Sequence, residues 1–484
     1  MFSTAIASAA DKALYSSTSL TEEQSQTHRQ LTASSQGEIL DLAQGQEPAL
    51  KLLANDSSVR DVLQRIPNEI LSKILLAVLE EAPLAEFVYP PWYLGHVCQH
   101  WRALALALPG LWSVIAHGRS CEKIKTLIER SGAEPLRVRF WMPYGGGKER
   151  QEQALAVLDM LMDVSERWIA VSMDMRPSLV HRLSVLRGRL PQLRFLGLSL
   201  PAATDYSGDG VDYRDTVNAF ELAPRLCDVS LDNIASIRHP NPIALPWGQL
   251  TRLHLAIHRP QHLLLLQSTP GLKWASVDFQ TEAEAILSTV QIDVELPALR
   301  RMFTREIIFF DVLNAPLLEE VYTIDTGPTH LLQFLERSQA QTHKLRTLRL
   351  AWATTRSVSA ILAAAPQIVS LGLQCGSNKE AEAMVSQLTV RADSTQCLGP
   401  NVTDLTLVFD ERSVRQGSLM RMIKSRATSD GAKCRKLGVI KIWVTAGSMT
   451  LSEQSMYQLK VLQETQGLVY EVKRGPHLID EWQE

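Results

Sequence analysis

The chain has 484 residues, 45% of them hydrophobic and 21% charged, with a formal net charge of -3 and a sequence pI near 6.5. That length exceeds one ordinary core and implies two or three domains, unless the chain is a repeat array that grows lengthwise. The near-neutral charge argues against nucleic acid or an anionic membrane as partner, and six scattered cysteines with no CxxC pair read as reduced thiols in a cytoplasmic or nuclear, non-secreted protein.

In chain order, residues 1–30 are rich in Ser, Thr, Gln and Ala and read as a disordered N-terminus with neither a signal peptide nor a transit signature. Leu31, Ile39, Leu42, Leu50, Leu53 and Leu63 form a loose helical pattern, interrupted by Gly45 and Pro48, that suggests a leader helix over 31–63. From residue 64 the text changes. "IPNEILSKILLAVLEEA" puts Pro67 in a first helical turn and Ile70, Leu71, Ile74, Leu75 and Val78 on one face. "WYLGHVCQHWRALALAL" stacks Leu94, Val97, Cys98, Trp101, Leu104, Ala105 and Leu108 at helical spacing, and Pro109-Gly110 ends it before Leu111 and Trp112.

The succession "IPNEIL", "VCQHWRALAL" and "PGLW" resembles the F-box, in the F-box-like form of mushroom-forming fungi, with Ile66 in place of the more usual leucine. The resemblance covers residues 64–115 and implies a docking module for the Skp-family adaptor of a cullin-RING ubiquitin ligase. Carried over to this chain, the pattern's apolar positions are Ile66, Pro67, Ile70, Leu71, Ile74, Val97, Cys98, Trp101, Leu104 and Leu111, divided between the module's own core and the adaptor. The plain alternative is a helical hairpin with Trp101 and Trp112 inside.

After a connecting segment over 116–165, the frame L-x-x-L-x-L, with other apolar residues or Thr allowed, starts at Leu193, Leu226, Leu250, Leu272, Leu299, Leu318, Leu345, Ile368, Val402 and Leu437, with a looser copy at Trp168. Seven copies have a proline two residues upstream, from Pro191 to Pro400, and spacings of 19 to 35 residues bracket the leucine-rich-repeat range. The expected fold is therefore α+β: a small all-α helical module followed, over 166–484, by an irregular α/β leucine-rich-repeat-like solenoid, a horseshoe with a C-terminal capping unit. An unrelated α/β fold in a leucine-rich chain is the competing reading.

One residue of each strand should line the inner face: Ser172, Gly197, Ser230, His254, Ser276, Phe303, Tyr322, Arg349, Gly372, Thr406 and Lys441. Around its middle Arg301, Phe303, Arg305, Tyr322 and Arg349 form a basic and aromatic patch, the candidate cargo-binding face, with a merely solvated strand face as the alternative. Motifs for chemistry are weak. His254, His258 and His262 are spaced four apart but broken by Pro260, so no metal is expected; "YGGGKE" at 144–149 lacks the spacing of a phosphate loop, and "YSGDGVDY" at 206–213 is poor in carboxylates for calcium. The sequons at Asn55 and Asn401 are expected to be unused, and no apolar run reaches the roughly 20 residues of a spanning helix. No catalytic residue and no cofactor are expected. The function implied is substrate recognition in an SCF-type ligase, with an adaptor, a cullin behind it and an unidentified target as partners; a non-degradative scaffold built on the same modules is the second reading.

Overall fold

The structure, a computed structural model, describes residues 66–80, 97–116, 120–142, 147–200, 216–233, 243–280, 282–288, 293–338, 344–391, 397–409, 414–429, 434–444 and 451–474. The leader-helix pattern at 31–63, the sequon at Asn55 and the insertion at 206–213 lie outside them. The chain divides into two compact units, residues 1–81 with 89–108, and residues 82–88 with 109–484.

In the first unit α1 (Asn68–Glu80) and α2 (Gln99–Ala107) pack on one another. Pro67 lends its carbonyl to the N–H groups of Ile70 and Leu71, both at 3.0 Å, so the residue that cannot donate starts the helix as an acceptor. Cys98 plays the same part for α2: its carbonyl accepts from Arg102, and its Sγ accepts from the Trp101 N–H at 3.4 Å. Leu71 and Leu75 of α1 and Ala105 of α2 are buried.

In the second unit a short 3-10 turn, Pro109–Trp112, leads into β1 (Val114–Ala116). There follow α3 (Cys121–Arg130), β2 (Leu136–Trp141), α4 (Gly147–Asp163), β3 (Trp168–Asp174), β4 (Phe195–Ser199), β5 (Asp228–Asp232), β6 (Arg252–Ile257), α5 (Leu263–Gln267), β7 (Trp274–Phe279) and α6 (Ala283–Ser288). Then come β8 (Val294–Glu295), β9 (Arg301–Thr304), β10 (Leu313–Asn314), β11 (Glu320–Ile324), α7 (Thr329–Ser338), β12 (Thr347–Ala353), α8 (Thr355–Ala364), β13 (Ser370–Cys375) and α9 (Asn378–Leu388). The last elements are β14 (Asp404–Phe409), α10 (Gln416–Ala427), β15 (Val439–Val444), α11 (Glu453–Gln466) and β16 (Val469–Arg474). Fourteen strands, all but β8 and β10, form one sheet in chain order with every pairing parallel; β8 and β10 pair separately, also parallel.

This corrects the expected fold class. The chain is not a small all-α module followed by a leucine-rich-repeat-like horseshoe; it is an α/β protein built on a 14-stranded, all-parallel sheet with intervening helices. The physical reason is that strand pairing runs past both ends of the repeating text. The frames fall on β3–β7, β9 and β11–β15, but β1 and β2 extend the sheet on one side and β16 on the other. Strand β2, "LRVRFW", alternates buried residues with half-buried Arg137 and Arg139 and exposed Trp141, and carries no leucine frame to announce it.

The frame's two later apolar positions form the core. Leu253 and Leu255, Leu348 and Leu350, Leu371 and Leu373, Leu405 and Leu407, and Ile440 and Ile442 are all buried, each burial worth about 1.5–3 kcal/mol. Helices α7 to α11 pack side by side in order, contributing Leu335, Ile361, Met384, Ile423 and Leu459 to the buried set. Side-chain caps hold three of them: Thr354 accepts from the Ser357 N–H, Ser377 from Glu380 and Ser452 from Ser455. Among the described residues no helix is long and apolar enough to cross a membrane.

Candidate functional site

The first unit separates its apolar residues into two sets. Leu71 is buried, whereas Ile70, Ile74 and Val97 are 48%, 44% and 50% exposed. Pro67 and Cys98 are exposed, while Ile66, Trp101 and Leu104 are half-buried. Leu106 of α2, outside the expected set, is also exposed. Among the described residues the buried Trp101 Nε1–H has no hydrogen-bond partner. Such a donor is costly to leave dry and unpaired. Leu111 belongs to the second unit, where it is buried in the 3-10 turn beside Trp112.

In the second unit the residues expected to form an inner column are one continuous cross-strand row. Ser172 pairs with Gly197, Gly197 with Ser230, Ser230 with His254, His254 with Ser276 and Ser276 with Phe303. The row continues through Tyr322, Arg349, Gly372, Thr406 and Lys441.

Around β9–β12 the row is packed. Phe303 and Tyr322 stack at 4.8 Å with 11° between their planes, and both are buried in a cluster with Ala351, Val408 and Trp443. Arg349 lies flat across Gly372, where a Cβ would stand 2.3 Å from its Cδ. Arg301 pairs with Glu320 at 3.2 Å and Arg305 with Asp278 at 3.8 Å. Of the five residues expected to hold cargo, then, Arg301 and Arg305 are exposed, Arg349 is half-buried, and Phe303 and Tyr322 lie inside.

Toward β5–β7 the same row carries a hydrogen-bonded line. His254 Nε2 meets Asp232 Oδ1 at 2.9 Å and His254 Nδ1 meets Ser276 Oγ at 2.8 Å, while the Ser230 hydroxyl donates to Asp232 Oδ2 at 3.1 Å. Burial alone would push the imidazole's pKa down. The hydrogen bond to Asp232, that carboxylate's charge and the charge of Asp278 outweigh it against the opposing Arg305, and His254 sits above its usual value. Asp232 moves down correspondingly: burial would raise it, but His254, Ser230 and the charge of His258 hold it below the usual carboxylate range. The other two histidines differ. Burial, together with the charge of Arg259, lowers His258; His262 falls to about 4 through burial and its charged neighbours, and its Nδ1 accepts from the His258 backbone N–H. His258 and His262 meet edge to face at 6.3 Å, so the three imidazoles point to different partners.

A serine, a histidine and an aspartate in line invite comparison with acyl transfer. The setting lacks what that chemistry needs. Ser276 is buried in a strand paired on both sides, so the neighbouring backbone N–H groups belong to the sheet ladders and are not gathered around an oxyanion position. The line instead fixes three adjacent strands to one another through side chains.

Two features have no counterpart in the sequence reading. Asp232 lies one residue past the strand frame, and its pairing with His254 depends on strand register. Trp352 lies at a register shift in β12, 57% exposed, with a φ of +59°; the text "RLAWAT" gives no sign of the bulge. No family model and no curated protein matches the chain.

Proposed function

We propose that the protein is a non-catalytic substrate receptor of an SCF-type ubiquitin ligase, its F-box-like helical pair docking a Skp-family adaptor and, through it, a cullin, with the row-bearing face of the sheet holding a target protein. The observation that carries the reading is the exposure of Ile70 and Ile74 on α1 and of Val97 just before α2, in text that has the F-box order. Exposed aliphatic side chains on one small helical unit suit the helix-in-groove mode, where a few apolar anchors dominate the binding energy. The receptor's contribution would be proximity, holding a target near a ubiquitin-charged enzyme. The reading implies a cytoplasmic or nuclear protein.

The test is binding of the purified full chain to a Skp-type adaptor, with an Ile70→Glu/Ile74→Glu variant beside it. Both side chains are exposed, so the fold should survive, and adaptor affinity should fall by at least about 2 kcal/mol. Unchanged affinity would remove these helices as the docking surface. Adaptor bound without any cullin recruited to the complex would favour the scaffold.

A further inference from the structure

We infer that the row-bearing face between β11 and β15 is a docking surface for a segment of the chain itself, residues 475–482, which follow β16 and lie outside the described residues. This deepens the receptor reading, on which it rests only for the consequence that a target must displace the segment.

Burial is the first observation. The strands stand in chain order with every pairing parallel, and right-handed crossovers then carry the connecting helices to one face, that of the buried leucines. The opposite face nonetheless holds Phe303, Tyr322, Thr406 and Trp443 at 3%, 0%, 0% and 1% exposure. Side chains of that face crowd one another, as Ile324 does against the aromatic cluster. They stand side by side on one surface, though, and do not take the outer side of Trp443 out of water as well. A parallel sheet is covered on both faces, and this stretch calls for a second cover.

Two unpaired donors are the second observation. Thr406 lies in the row itself, and Trp443, two residues past Lys441, lies on the same face. The Thr406 hydroxyl and the Trp443 Nε1–H are buried without a hydrogen-bond partner among the described residues. Dry donors left unpaired are costly, so the cover should bring acceptor oxygens as well as apolar groups.

Chain continuity and charge select the occupant. The other segments outside the described residues between β11 and β16 are 339–343, 392–396, 410–413, 430–433 and 445–450, and each is short and must return to the next helix or strand. Residues 1–65 fall in the other compact unit. Residues 475–482, "GPHLIDEW", continue from β16, which pairs with β15, and Gly475-Pro476 suits a chain reversal. Extended, this segment reaches about 26 Å, and the strand spacings from β16 across to β11 sum to about 24 Å. Leu478, Ile479 and Trp482 supply apolar cover, and Asp480 and Glu481 supply acceptors. In the two rows level with the aromatic cluster the charged residues of β11–β16 are Arg349, Lys441, Lys473 and Glu471, and Glu471 pairs with Lys473 at 3.2 Å. The face is thus net positive where the segment is acidic.

The experiment is hydrogen exchange of residues 475–482 in the purified full chain, read by mass spectrometry against a free peptide of the same sequence. Exchange in the full chain should be slower than in the peptide by at least about tenfold. Asp480→Lys/Glu481→Lys and, separately, Lys441→Glu should each return it toward the free rate. Lys460→Glu, at an exposed position of α11, should leave it unchanged. Because Lys441→Glu alters a sheet residue, combining it with Asp480→Lys/Glu481→Lys is the check: opposite charges are restored, and protection should return at least in part. Free-peptide rates in the wild type, protection that either variant leaves intact, or no recovery in the combined variant overturns the inference. A Skp-type adaptor that fails to bind the same wild-type chain would remove the receptor reading and leave the docked segment standing.

Discussion

One row of one sheet serves two different ends along its length. At β5–β7 it carries Ser230, His254 and Ser276, tied by hydrogen bonds; at β9–β11 it carries Phe303 and Tyr322, stacked and dry. Strand direction, pairing and register are the same in both stretches. The opposite face is not free to vary in this way, since Leu253, Val277, Met302, Val321 and Leu348 must all seal against the core. Folding is thus written on the core-facing side, while the row-bearing side can be polar in one place and apolar in another without altering the topology.

That contrast breaks most sharply at the aromatic pair. Tyr322→Ala or Phe303→Ala should each cost about 3–5 kcal/mol, measured by urea denaturation, because a large buried ring leaves a cavity. A loss below about 1 kcal/mol for both would mean that the packed stretch is no more structural than the polar one. The next effect is smaller and separates packing from charge. Gly372→Ala forces Arg349 off its path and should cost about 1–3 kcal/mol, whereas the same change in an Arg349→Ala background should cost clearly less. Equal costs in both backgrounds would show that the close approach of Arg349 does not restrict the site.

The strands were legible because the physics behind them repeats. A proline, then a leucine, then two apolar residues two apart describes a turn entering a short strand with one sealed face, and each frame from Trp168 to Leu437 falls on such a strand. Strands β1, β2 and β16 escaped because their text does not fit the frame, β2 opening on Leu136 but carrying Arg139 where the frame needs an apolar residue, and without them one sheet read as a solenoid attached to a separate helical module. The row itself was legible at the level of which residues align. Its burial was not, because exposure of Tyr322 depends on what Arg349, Ile324 and Trp443 do above it, and no local pattern encodes that. The same limit hid the Asp232–His254 contact and the bulge at Trp352: both arise where neighbouring strands end.

The polar stretch makes the smallest but most distinctive prediction, since its contribution should depend on pH where that of the aromatic stretch should not. His254 is raised above its ordinary 6.5, so the folded state binds its proton more tightly than the unfolded chain does. That stabilisation is complete below pH 6.5 and fades as pH rises through the folded value. Asp232 is lowered below its ordinary 3.8, so its share is complete above pH 3.8 and fades as pH falls through the folded value. The two overlap fully only between those ordinary values. His254→Asn should therefore cost more at about pH 5, roughly 1–2 kcal/mol, than at an alkaline pH above the folded-state value of His254, where the imidazolium's share of the stabilisation is gone. Urea midpoints of the wild type and the variant at both pH values supply the comparison, with Tyr322→Ala as the pH-independent reference. A His254→Asn deficit that stays constant would mean that His254 holds Asp232 and Ser276 as a neutral hydrogen-bonding group, and the charge on the pair would then play no part in joining β5 to β7.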